Sequence, residues 1–114
     1  MSGTEWIVFV IACMCGAVLR YVLDGVIGTL AINVTGSLLL GFIVGLALYH
    51  GLDDPPRLLL GTGFCGAYTT FSAFSLDTVR MIERRAYGQA LRYSLGTLVI
   101  CIAAAAVGLA LMAL

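Results

Sequence analysis

Gly63-Phe64-Cys65-Gly66-Ala67-Tyr68-Thr69-Thr70-Phe71-Ser72-Ala73-Phe74-Ser75 lies in the middle of a segment whose apolar flanks mark it for a membrane. Backbone exposed to lipid must satisfy its own hydrogen bonds, so bilayer segments are normally plain apolar helices. This stretch has two glycines, four hydroxyl residues besides Tyr68, and, besides Phe64, two phenylalanines three apart. A span that departs from apolar helix at mid-depth lines a polar pathway or is buried in protein. The glycines weaken the helix, and Thr69, Thr70 or Ser72 can cap a new one. We therefore expect a helix that breaks between about Gly66 and Thr70 and then restarts. Such breaks free backbone carbonyls that can hold a cation.

Outward from this stretch, the composition sets the class. Of 114 residues, 61% are hydrophobic and 11% charged, with a mean hydropathy of +1.08. A soluble domain is about half apolar and about a quarter charged, so the reading is an all-α integral membrane protein. The net charge is zero. This gives no case for a nucleic-acid partner, nor for a polybasic lipid-binding patch. Cys13, Cys15, Cys65 and Cys101 each sit in apolar runs without a C-x-x-C pair, and are expected to be buried free thiols. The lone His50 falls in a loop, away from any metal-ligand cluster. No basic n-region precedes the first apolar run, so no cleavable signal peptide is expected.

Four spans of about 20 residues fit in a single domain over 1–114, at about 6–23, 28–49, 57–82 and 89–112. Asp24-Gly25 signals the first turn. The run from His50 through Asp53, Asp54, Pro55 and Pro56 signals a loop, and Glu83 to Gly88 a polar connection. Four short spans enclose little interior, so a pathway is expected to form between subunits. One face has Arg57; the other has Arg20, Arg80, Arg84, Arg85 and Arg92. The positive-inside rule then places both termini outside.

Two polar rows stand out. Thr29, Asn33, Ser37, Gly41 and Gly45 recur every four residues, which stacks them on one helix face. Gly41 and Gly45 read as a helix-packing seam. Asn33 reads as functional, because an amide in hydrocarbon is costly unless paired. Tyr93, Thr97 and Cys101 repeat the spacing in the fourth span. Phe71 and Phe74 lie close on one face, and an aromatic ring edge is electropositive. Hydroxyls and an amide donate hydrogen bonds, and no acid falls at mid-depth. This combination suits a small anion. Arg20 reads first as a helix-end residue that snorkels to the headgroups.

The quoted run resembles the signature of the Fluc-type (CrcB) bacterial fluoride channels. Gly28-Thr29-Leu30-Ala31-Ile32-Asn33 and Arg20-Tyr21 are similar to that family's second-span motif and first-span end. The resemblance implies passive export of fluoride across the bacterial inner membrane by an antiparallel, dual-topology dimer with two pores. It implies that Asn33, Phe71 and Phe74 contact fluoride, and that Thr29, Tyr93 and Thr97 belong to the polar tracks, with Arg20 structural or at the pore mouth. It also implies a sodium ion at the two-fold axis on the carbonyls of Gly66 and Thr69. The arginine asymmetry leaves both a homodimer and a heterodimer with a homologous subunit open. The competing reading is a proton-coupled small multidrug transporter of organic cations. It requires a membrane-embedded glutamate in the first span, where the only acid before Arg20 is Glu5. No nucleophile–base pair or metal cluster points to an enzyme.

Overall fold

A computed structural model describes residues 2–53 and 56–114. The chain is helical almost throughout. Helix α1 (Gly3–Tyr49) is followed by a π-helical segment (Leu58–Cys65), a single turn α2 (Gly66–Tyr68), α3 (Phe71–Glu83) and α4 (Tyr87–Ala113). The acidic, proline-rich loop expected after His50 falls partly on Asp54 and Pro55, outside the described residues.

Helix α1 is two arms joined by one residue. At 1.5 Å per residue, 47 straight helical residues would span roughly 70 Å. The molecule's longest dimension is 49 Å. The chain folds back at Gly28, whose φ of 81° and ψ of 166° are non-helical, in a region essentially reserved for glycine. The expected turn at Asp24-Gly25 is thus corrected. Both residues stay helical, and the reversal uses the next glycine. A Cβ added at Gly28 would meet nothing within 4 Å. Gly28→Ala is therefore expected to lower stability by about 1–3 kcal/mol through backbone strain alone, read as an earlier midpoint in denaturant titration of the detergent-solubilised protein. The first arm starts with a capping box, Glu5 N–H to Ser2 Oγ at 3.2 Å and Ser2 N–H to Glu5 Oε2 at 2.9 Å.

The break in the third segment falls inside the expected interval, at its C-terminal end. Gly66 is helical, with φ −63° and ψ −36°. Thr69 and Thr70 are the extended residues, at ψ 154° and 110°. β-Branched side chains favour extended backbone, and Thr70 has an oxygen with which to restart the helix. Its Oγ1 accepts from the Ala73 N–H at 3.2 Å, capping α3. Gly66 has no such group. Upstream, the glycines lie in or beside the π-helical turn, a form common at functional sites.

Glycines also set the helix axes. A Cβ on Gly16 would strike the Phe64 carbonyl, one on Gly36 the Thr69 methyl, and one on Gly41 the Ala105 carbonyl. Gly45 lies against Met112, and Gly108 against Leu38 and Phe42. The second arm of α1 therefore runs parallel to α4 in close backbone contact, as the small-residue seam implies. His50 Nε2 lies 2.9 Å from the Met112 carbonyl, tying the two ends together. Helix α3 ends in a Schellman turn, with Arg85 N–H bonded to Ile82 O and Ala86 N–H to Met81 O. Helix α4 then begins at Tyr87, two residues before the expected 89.

The fully buried core is small, centred on Ile32 and Cys65, while large apolar side chains cover the outside: Val18 is 62% exposed and Val99 64%. Helices α1 and α4 are long and apolar enough to cross a membrane. An apolar exterior of this extent marks an all-α membrane protein. All four cysteines are free, but only Cys65 is buried and Cys15 is exposed. The expectation of four buried thiols is corrected accordingly: Cys13 and Cys101 are half-buried, the latter on the wall of a cavity, and Cys15 faces outward.

Candidate functional site

Asn33 and Thr70 fix the centre of the site. The Asn33 amide donates from Nδ2 to the Thr70 carbonyl at 3.1 Å and accepts the Thr70 N–H on Oδ1 at 2.8 Å. In an unbroken helix the Thr70 N–H would bond to the Gly66 carbonyl, four residues back. Asn33 takes its place and holds the break open. Both residues are buried, at 9% and 8% exposure. A single amide thus satisfies two backbone groups that would otherwise be orphaned. One Nδ2 hydrogen remains uncommitted.

A cavity of about 450 Å³ opens beside this clamp. The second arm of α1 contributes Asn33 and Ser37, the broken segment contributes Thr62, Cys65, Gly66, Thr69 and Thr70, α3 contributes Phe71, and α4 contributes Cys101. No lining residue carries a formal charge. Phe71 is 80% exposed even though it lines the cavity. Its ring lies 5.8 Å from that of Phe74, tilted by 38°. Phe74 in turn stacks on Tyr93 at 5.4 Å.

The expected residues are not all gathered in one place. Asn33, Phe71, Gly66 and Thr69 meet at the cavity; Thr29, Phe74, Tyr93, Thr97 and Arg20 do not line it. Thr29 Oγ1 donates to Asp24 Oδ1 at 3.3 Å, and the Tyr93 hydroxyl donates to Asp77 Oδ2 at 3.2 Å. Both hydroxyl hydrogens are therefore held by carboxylates. Thr97 is 6% exposed, and its Oγ1 is a buried oxygen without a hydrogen-bond partner among the described residues. Gly41 meets Ala105, and Ser37 shares the cavity with Cys101, at the same interval in sequence. Parallel helices preserve that interval, which sets Thr97 level with Asn33 and Tyr93 level with Thr29. Arg20 lies half-buried in the first arm of α1.

Thr62, Cys65 and the clamping role of Thr70 were not anticipated as parts of the site. Residues 62, 65, 66 and 69 share one helical face, a signal masked by the glycines at 61 and 63.

The CrcB-like protein family (Camphor Resistance, CrcB) matches residues 7–109. The chain is 48% identical over 104 residues to the fluoride-specific ion channel FluC 1 of Leifsonia xyli subsp. xyli, covering 82% of this chain and 76% of that protein. It is 49% identical over 86 residues to the fluoride-specific ion channel FluC of Phenylobacterium zucineum, covering 74% and 68%. It is 41% identical over 88 residues to the FluC channel of Methanococcus vannielii, covering 70% and 72%. An uncharged, donor-lined cavity at a clamped helix break and a match along nearly the whole chain agree: this protein belongs to the CrcB-like family.

Proposed function

We propose that this chain is a fluoride-selective channel that exports the ion passively and lowers its cytoplasmic level. The observation behind this reading is the cavity itself. Hydroxyls, an amide, a ring and thiols line it without one formal charge. Fluoride is small and strongly hydrated, so a pore must replace its water with close donors. Neutral donors do so without a fixed charge that would trap the ion, and conduction requires release as well as entry. The spare Nδ2 hydrogen of Asn33 is one such donor in the cavity, and the partnerless Thr97 hydroxyl, outside its lining but level with Asn33 on α4, would be a second along the track. Thr29 and Tyr93 become donors only when they leave their carboxylates, which makes them outer stations of the track. The relatives named above are fluoride-specific ion channels. Family membership sets aside the multidrug-transporter reading, and Glu5 is engaged at the helix N-terminus, not inside a span.

In this reading the single domain crosses the cytoplasmic membrane four times, over about 6–23, 28–49, 57–82 and 89–112. The exposed Phe71 ring leaves the cavity without a wall on one side. An antiparallel second subunit, identical or homologous, supplies that wall. Thr70 gives its N–H to Asn33, and Ala73 gives its N–H to Thr70 Oγ1. The carbonyls of Gly66 and Thr69 thereby lose the donors that a continuous helix would offer. They would hold a structural sodium ion, one pair from each subunit. Arg20 stays at the pore mouth.

The test is fluoride efflux from liposomes that contain this chain alone. The wild type is expected to release fluoride and retain chloride. Phe71→Ile is expected to reduce efflux to the background leak while leaving the subunit folded, because the ring is largely exposed. Wild-type vesicles that hold their fluoride would reject self-sufficiency, and a Phe71→Ile rate equal to wild type would reject the pore assignment.

A further inference from the structure

We propose that the turn between α3 and α4 and the groove beneath it bind one anionic phospholipid. Net charge over the whole chain is zero, but the charges are segregated along it. Between residues 78 and 94 there are four arginines, Arg80, Arg84, Arg85 and Arg92, against the single acid Glu83. Asp77, just outside this stretch, already accepts from Tyr93. Among the described residues none of these four guanidiniums has an ion-pair partner. Among the described residues, Arg85 is the only non-glycine with positive φ, at 60°. It occupies the left-handed position of the Schellman turn that glycine normally fills. A guanidinium is thus placed at the tip of the turn despite the backbone cost.

Directly below the turn, a groove of about 240 Å³ runs between the two helices, lined by Thr78, Ile82, Tyr87, Ala90, Leu91 and Ser94. Ile82, Tyr87 and Leu91 are 46%, 62% and 60% exposed. The groove shares no residue with the cavity at Asn33. Its walls are mostly apolar, and Tyr87 stands at the level where aromatic residues meet headgroups. Arginines in and beside the turn, with an apolar cleft between the two helices that it joins, match a phosphodiester headgroup with one acyl chain attached. Basic pockets between membrane helices take anionic headgroups in this way.

The test is native mass spectrometry of the full-length protein in detergent, titrated with phosphatidylglycerol or with phosphatidylcholine of the same chains. Phosphatidylglycerol should be retained at least about tenfold more tightly. Arg84→Gln with Arg85→Gly should erase that preference. The glycine suits the turn, so the pair removes charge without unfolding it. Arg57→Gln, at the opposite end, should leave the preference intact, and Leu91→Asn should weaken both lipids alike. Free glycerol phosphate should not compete. Equal retention of the two lipids, a preference that survives the double variant or disappears with Arg57→Gln, unchanged binding in Leu91→Asn, or displacement by glycerol phosphate would each overturn the proposal.

Discussion

Asn33→Asp is expected to abolish fluoride efflux and to destabilise the subunit by about 1–3 kcal/mol. The carboxylate can still accept the Thr70 N–H, now 2.8 Å from Oδ1, but has no hydrogen to return to the Thr70 carbonyl 3.1 Å away. A buried carbonyl left without a donor costs about 1–3 kcal/mol. A negative charge would also stand in an uncharged cavity and repel the anion there. Asn33→Ala separates the two effects. It removes both bonds to Thr70 and is expected to cost more stability than the aspartate, while placing no charge in the path. Ser37→Ala, one turn along the same stripe, has no such clamp to break. It should slow efflux without moving the unfolding midpoint. Efflux from liposomes and the denaturation midpoint in detergent are measured on the same preparations. Wild-type efflux by Asn33→Asp would remove Asn33 from the pathway. A wild-type midpoint for Asn33→Ala would show that the clamp does not hold the break.

The stripe that contains Asn33 was legible because helical spacing is a local property. Thr29, Asn33, Ser37, Gly41 and Gly45 announce a face by their interval of four, and the structure sets Asn33 and Ser37 on the cavity and the two glycines on α4. What each member does was less legible. Thr29 gives its hydrogen to Asp24, which a stripe cannot reveal. Asn33 binds backbone 37 residues away in sequence, so its second role depends on tertiary contact. The break was legible as an interval, 66–70, which contains it, but not as a single residue. Gly66 looks like the weak point by propensity, yet a glycine in a helix costs only about 1 kcal/mol, less than two bonds from a buried amide. Thr70 wins because Asn33 captures its N–H and its own hydroxyl restarts the chain. The reversal in α1 is similar. Gly25 and Gly28 are equally permissive by residue type, and only Gly28 takes the non-helical φ and ψ.

The largest loss of stability is expected from Gly41→Ala. The added methyl would drive into the backbone carbonyl, carbonyl carbon and Cα of Ala105. Nothing flexible stands there to give way, so α1 and α4 must separate. The same seam continues at Gly45, where the obstacle is the Met112 side chain, and at Gly108, where it is the Leu38 carbonyl and the Phe42 amide. Helices in lipid gain no hydrophobic drive to associate, and close backbone approach is what holds them. Overpacking a tight contact costs about 1–3 kcal/mol and sometimes more, and here the obstacle is rigid. Gly41→Ala should therefore lose most of its folded yield, and Gly45→Ala should also be costly, because the atom it would strike first is Met112 Cβ, which is fixed to the backbone. Gly96→Ala, on the same α4 helix with nothing within 4 Å of the added Cβ, should be neutral or slightly stabilising, since alanine is the better helix former. The ordering is read from monodisperse peak height and denaturation midpoint. It bears on function through the cavity: Ser37 and Cys101 face each other across it only while Gly41 and Ala105 keep the two backbones in contact. A Gly41→Ala protein as stable as wild type would mean that this seam does not set the spacing of the pathway.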